Sequence, residues 1–206
     1  MYALVEDNNI TKLINNPKSI VIGDVNYPAK IFSVWSASEL NAIGIYEVVF
    51  DDSNKKDEKW YINTNQSYDF DGNEVTASYG SAIAKEHADT LWTAQDKTDN
   101  LIPQDKDVGD VATRGLKYNL IKDLKTTVAN ELARTDWYIT RNIEKSTAIP
   151  SDISTHRDNV RTKQAEMETA KTNASDTPAL ETLYTYTEQE DKSVTRPLGE
   201  LPTLES

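Results

Sequence analysis

The sequence predicts an α+β chain: a small, mainly antiparallel N-terminal β unit, a polar linker, then a C-terminal helical hairpin with an extended tail. Three observations predict it. Short apolar runs of period two fill residues 2–77, bulky residues nearly vanish from Thr93 to Asp110, and Leu or Val recurs every fourth residue from Leu116 to Leu132. The boundaries that follow are 1–92 for the acidic β unit, 93–110 for the linker, 111–175 for the hairpin and 176–206 for the extended segment.

In the β unit, strands are expected at Tyr2 to Val5, Ile10 to Ile14, Ser19 to Ile22, Ile45 to Phe50, Lys59 to Asn63, Tyr68 to Phe70 and Glu74 to Ala77. Asp7-Asn8-Asn9 and Asn15-Asn16-Pro17 supply turns, and Asp71-Gly72 predicts a hairpin between the last two strands. Ser36 with Glu39 three residues on is a capping-box pattern, so "SASEL" predicts a short helix ended by Gly44. In the second half, Leu116, Leu120, Leu124, Val128 and Leu132 form one stripe of a helix from about residue 111 to 135. Pro150 suits a helix start, and a second helix is expected from there through Ile153, Val160 and Met167 to about Asn173. The connector between them holds Trp137 and Ile139, expected to fill the groove between antiparallel helices. Leu180 to Thr187 reads as a strand and the rest as an extended polar tail.

Composition narrows the function. Leu, Ile, Val and Phe make up about a fifth of the chain, so the cores are small, and four Trp and ten Tyr add amphipathic bulk. Part of the apolar surface is expected to be buried against another chain. The formal charge is −12, and residues 1–113 hold 9 Lys/Arg against 19 Asp/Glu. Nucleic-acid binding needs a basic face to displace counterions, and neither half has one, so DNA and RNA are not expected partners. There is no cysteine, and "MYALVEDNN" has neither the charged nor the apolar region of a signal peptide. Apolar runs are only a few residues long, so no membrane insertion is expected.

No side chain is patterned for chemistry, and the chain is expected not to be an enzyme. Asp69, Asp71, Gly72 and Glu74 resemble a calcium loop in composition, but Gly falls at the wrong position and a hairpin turn explains them. Asp51, Asp52, Asp57 and Glu58 are interleaved with Lys55, Lys56 and Lys59 and read as a solvated loop. His87 and His156 lack partners at metal-ligand spacing, no Gly-x-Ser-x-Gly elbow frames a serine, and seven glycines form no phosphate loop. No catalytic, metal or cofactor residue is therefore assigned.

One constellation stands apart. In "NELARTDWYITRNIEKSTAIPSDISTHRDNVRTKQ" a helix ends in Thr135-Asp136-Trp137, and the next helix carries Arg157 and Arg161 one turn apart. Asp136 is placed to cap or pair at the helix end and Trp137 to wedge between the helices. Arg157 is placed to reach back toward Asp136 or Glu131. Asp136, Trp137, Arg157 and Arg161 are the expected hairpin-core or interaction residues.

This segment resembles the C-terminal helical hairpin of bacteriophage tail-fibre assembly and tail-fibre-associated proteins, a Leu-rich helix ending in Thr-Asp-Trp and a Pro-led helix with Tyr-Arg and Leu-Arg. The matching residues are Leu132, Thr135, Asp136, Trp137 and Pro150, then His156-Arg157 and Val160-Arg161, with His in place of Tyr and Val in place of Leu. "MYALVEDNNITKLI", "LNAIGIYEVVF" and "DFDGNEV" are similar to the family's β unit. The chain runs about thirty residues beyond the hairpin, where many members of that family stop. The resemblance implies a structural component of a phage tail, a fibre or tail-adaptor protein that is made in the host cytoplasm, resides in the virion and binds other tail or fibre proteins as part of an oligomeric assembly. Its alternative is a non-virion tail-fibre assembly chaperone.

Overall fold

The computed structural model describes residues 1–204 and divides the chain into two units, Met1–Ile83 and the residues from Ala84 onward. The α+β class holds: an antiparallel-rich sheet comes first and a helical region second. The expected elements are met closely in the first unit and revised in the second by local chemistry that composition conceals.

In the first unit, β1 (Tyr2–Glu6) pairs antiparallel with β2 (Asn9–Ile14) through a two-residue turn in which Asp7 and Asn8 take φ values of 52° and 62°. Two left-handed residues are what a tight hairpin twisted like its strands requires, and short polar side chains tolerate that region best. A hairpin of β3 (Ile20–Ile22) and β4 (Val25–Tyr27) follows, then two short helices, α1 (Ile31–Val34) and α2 (Ala37–Asn41). The capping box of α2 is complete, with Glu39 N donating to Ser36 Oγ and Ser36 N donating to Glu39 Oε2. Those hydrogen bonds from Ser36 hold the Glu39 carboxyl below its ordinary pKa. Strand β5 (Ile45–Asp51) returns beside β1; β6 (Tyr61–Ile62), β7 (Ser67–Phe70) and β8 (Val75–Ser78) follow, and β9 (Ile83–Ala84) spans the unit boundary. The main sheet has the order β2-β1-β5-β8-β7, with β5 and β8 parallel and its other neighbours antiparallel.

Both faces of this sheet are apolar, which is why Ala3, Leu4 and Val5 in its interior are all buried. Leu4 and Ile45 join Ile14, Ile20, Ile31 and Leu40 under the β3–β4 hairpin and the two helices. On the other face Ala3, Val5, Val48, Val75 and Ala77 pack with Tyr46, Tyr68 and Phe70. A bulge at Leu4/Val5, where Thr11 is the extra residue of β2, bends the sheet, and the edge strands β2 and β7 approach each other without forming a ladder.

The second unit begins with β10 (Thr90–Leu91), helix α3 (Ala94–Thr98) and β11 (Val111–Thr113). Residues 93–110 are therefore not an open linker. The pairing of β10 with β11 closes them into a loop, Trp92 N donates to Asp110 O, and Gly109 N donates to Trp92 O. Helix α4 (Leu116–Ala133) starts after Gly115 rather than at residue 111, because Val111–Thr113 is committed to strand pairing. The expected connector is a helix in its own right, α5 (Asp136–Lys145), ended by left-handed Ser146. Helix α6 (Ser151–Asn173) has the expected limits and packs on α4.

The C-terminal segment is not a free extended tail. Asp176 caps α7 (Thr177–Tyr184) by accepting from Ala179 N, with Pro178 in the first turn, so a helix forms where a strand was expected. A small hairpin of β12 (Thr187–Glu188) and β13 (Val194–Thr195) then turns the chain back. Leu198 is 4% exposed and packs with Leu124, Val128, Val160 and Met167 of α4 and α6. The apolar residues at the end of the sequence complete this core. The last two residues of the expected segment, 205 and 206, lie outside the described part.

The tightest glycine constraint of the first unit lies at Gly44, which has φ of +81° and whose Cβ, if it had one, would stand 2.5 Å from Val5 O. Gly72 also has positive φ, +99°, but with open space around it. Gly44→Ala is expected to destabilise the protein by about 2–4 kcal/mol, and Gly72→Ala by about 1–2 kcal/mol. Urea denaturation of the two variants, read by tryptophan fluorescence, checks the order.

Candidate functional site

The residues singled out by the sequence meet where α4 ends and α5 begins, although they do not all take part in one cluster. The chain leaves α4 at Arg134 and re-enters a helix at Asp136, with Thr135 at φ −117° and ψ 4° between them. A helix end exposes carbonyls without intrahelical donors, and here one of them, Leu132 O, is surrounded by donors. It accepts from Thr135 N at 3.1 Å, Thr135 Oγ1 at 3.0 Å and Arg157 Nη1 at 2.8 Å.

Arg157 reaches this point from α6. Its Nη1 also donates to Thr135 Oγ1 at 2.6 Å and lies 2.9 Å from Asp136 Oδ1. Thr135 is 1% exposed and Arg157 7% exposed, so the hydroxyl and guanidinium exchange water for one another. The placement of charge is also favourable. A cation stands at the C-terminal end of α4 and Asp136 occupies the first turn of α5, each where the helix dipole favours its sign. Arg157 Nε is buried and finds no acceptor among the described residues, a cost that the contacts of Nη1 must offset.

Of the two carboxylates open to Arg157, Asp136 is thus the one engaged. Glu131 belongs to His156, whose Nε2 lies 3.1 Å from Glu131 Oε1, and to Arg134, which donates to both carboxylate oxygens at 3.1 and 2.9 Å. The hydrogen bond from Arg134 comes first in holding the Glu131 carboxyl below its ordinary pKa, and the backbone N–H of Leu204 and the ring of His156 add to it. Glu131 therefore joins α4, α6 and the returning C-terminal segment.

Two expected members fall elsewhere. Trp137 does not wedge between the helices. It is 51% exposed, because Asp136 and Thr135 fix the start of α5 and the next position then points outward. Its ring lies 3.8 Å from that of Tyr138, and the Arg141 guanidinium sits 4.7 Å from it and 5.4 Å from Tyr138. Arg161 stays at the surface and faces Asp158 of its own helix at 3.5 Å, one turn beyond the clamp.

Sequence reasoning missed Thr135 as the central hydroxyl, His156 as the partner of Glu131, and buried Lys171, which donates to Leu120 O. The adjacency of His156 to Arg157 on a helix that packs on α4 was the available signal for the second; the other two had none. Elsewhere, Asp71 Oδ1 accepts from Asn73 N and Glu74 N, the pattern of a hairpin turn, and Asn63 bridges the backbone N–H and carbonyl of Lys56 in the mixed-charge loop. Among the described residues no three His, Cys, Asp or Glu side chains gather as a metal-holding group. Trp60 is buried, and Trp35 packs edge-on against Tyr27.

No protein-family model, curated protein or solved structure matches the chain. The arrangement is built to hold a helix junction, and an exposed Trp137 beside half-buried Tyr138, in fixed geometry.

Arg157→Ala is expected to lower stability by about 2–4 kcal/mol, since it strips the buried hydroxyl and carbonyl of their shared donor. Arg161→Ala, which removes only an exposed pair, is expected to cost less than about 0.5 kcal/mol. Thermal melts of the two variants against the parent chain measure both.

Proposed function

We propose that this protein is a structural component of a bacteriophage tail, a fibre or tail-adaptor protein that works through protein–protein contacts and performs no catalysis. On this reading it is made in the host cytoplasm, resides in the virion and is ordered alongside other tail or fibre proteins. The observation that carries the reading is the Thr135-Asp136-Trp137 junction. The polar residues that give the sequence its likeness to tail-fibre-associated proteins lock the helix turn through Arg157, and the aromatic residue of the same motif is left facing solvent.

An exposed Trp beside a Tyr, both stiffened by a stacked Arg, is suited to docking. It offers a large amphipathic surface whose few rotatable bonds are already restrained, so little conformational entropy is lost on contact. The C-terminal segment packs its Leu198 and Leu201 against the α4–α6 core, whereas the helix junction leaves Trp137 open to contact.

Mass spectrometry of purified particles tests the proposal: stoichiometric presence is expected, and absence from particles whose assembly nonetheless requires the protein would replace it with the chaperone role. Trp137→Ala is expected to leave the melting temperature within a few degrees and to reduce incorporation into particles by about tenfold. Undiminished incorporation of that variant would contradict the assignment of the docking surface.

A further inference from the structure

Helix α4 buries Leu124 and Val128 against α6 and the C-terminal segment, and another of its sides carries a second, unpartnered surface. There Tyr118, Ile121, Lys122, Lys125, Thr126 and Ala129 line a groove of about 580 Å³. Asn130 completes the lining, which contains no carboxylate. We infer that this groove docks an acidic amphipathic helix from a partner protein. The inference stands on the groove alone and does not require the tail reading.

Length and shape favour a helix. From Tyr118 to Asn130 the groove follows the axis of α4 for roughly 18 Å, about three turns at 1.5 Å per residue. Tyr118, which is 41% exposed, and half-buried Ile121 offer apolar anchors at one end. Thr126 and Ala129 further along are small enough for a second helix to approach to about 8–10 Å between axes.

Charge selects the chemistry of that helix. Lys122 makes no ion pair among the described residues, and Lys125 reaches only Glu168, at 3.6 Å with the lysine side chain 58% exposed. The Arg114 guanidinium lies 4.2 Å from the Tyr118 ring centre and stacks on the anchor, its charge already balanced by Asp89. On a chain of net charge −12 this lysine-bearing apolar strip is a local exception, and it complements an apolar ridge flanked by Glu or Asp. A second copy of α4 fits it poorly, since a two-fold contact centred on the groove sets the lysines of one copy against those of the other, and the groove lining itself holds no acid.

The test uses the full chain and two labelled synthetic amphipathic helices of about four turns that share a Leu-rich face and carry either Glu or Lys on its flanks. Fluorescence anisotropy is expected to show the Glu peptide binding at least about tenfold more tightly than the Lys peptide. Lys122→Glu should remove most of that preference, and Ala129→Arg should abolish binding of both, while thermal melts of both variants match the parent. Equal binding of the two peptides, no binding, or a preference that survives both substitutions overturns the inference. So does a sedimenting dimer that Ala129→Arg dissociates, which would assign the groove to a second copy.

Discussion

The second unit depends on one buried cation. The Arg157 guanidinium closes the gap left where α4 stops and α5 begins, by donating to the carbonyl of one turn, the hydroxyl of the break and the carboxylate of the next helix. Burying a guanidinium costs several kcal/mol, so such a residue persists only where its neighbours supply acceptors in the right places. Here they come from three successive steps along the chain, Leu132, Thr135 and Asp136. The direction in which α5 departs is thereby tied to α6, and with it the outward display of Trp137 beside half-buried Tyr138 and Arg141. Glu131 extends the arrangement by holding His156, Arg134 and the N–H of Leu204.

The first unit is held differently. It has few buried polar contacts and relies on backbone fit, with an apolar sheet covered on both faces, a bulge that bends it, and Gly44 lying so close to Val5 that no side chain is admitted. Each unit thus has its own core. Surface chemistry differs as well: the second presents a lysine-bearing groove and an aromatic–arginine stack, the two features best suited to holding another protein.

What could be read in the sequence was what local chemistry decides alone. Alternation located the main strands, Asp71-Gly72 located a hairpin, and Ser36-x-x-Glu39 located a capped helix. Pro150 and the apolar positions after it marked α6. The misreadings share a cause. Thr93-x-x-Asp96 is also a capping box and Asp176 with Pro178 also starts a helix, but polar surroundings masked both, and the pairing of β10 with β11 is a nonlocal event. The pairing of Arg157 with Asp136 was legible because each lies at a helix terminus or on a facing helix. The outward turn of Trp137 was not, because it follows from the φ and ψ of Thr135, which no residue pattern specifies.

If Arg157 and Thr135 form the contact on which the helix junction depends, their substitutions cannot act independently. The direct measurement is a double-mutant cycle of Thr135→Val and Arg157→Met by urea denaturation, both replacements keeping much of the original volume. A coupling energy above about 1 kcal/mol is predicted, with the double variant losing clearly less than the sum of the two single losses. Losses that add to within about 0.5 kcal/mol would contradict the account and leave the junction to apolar packing alone.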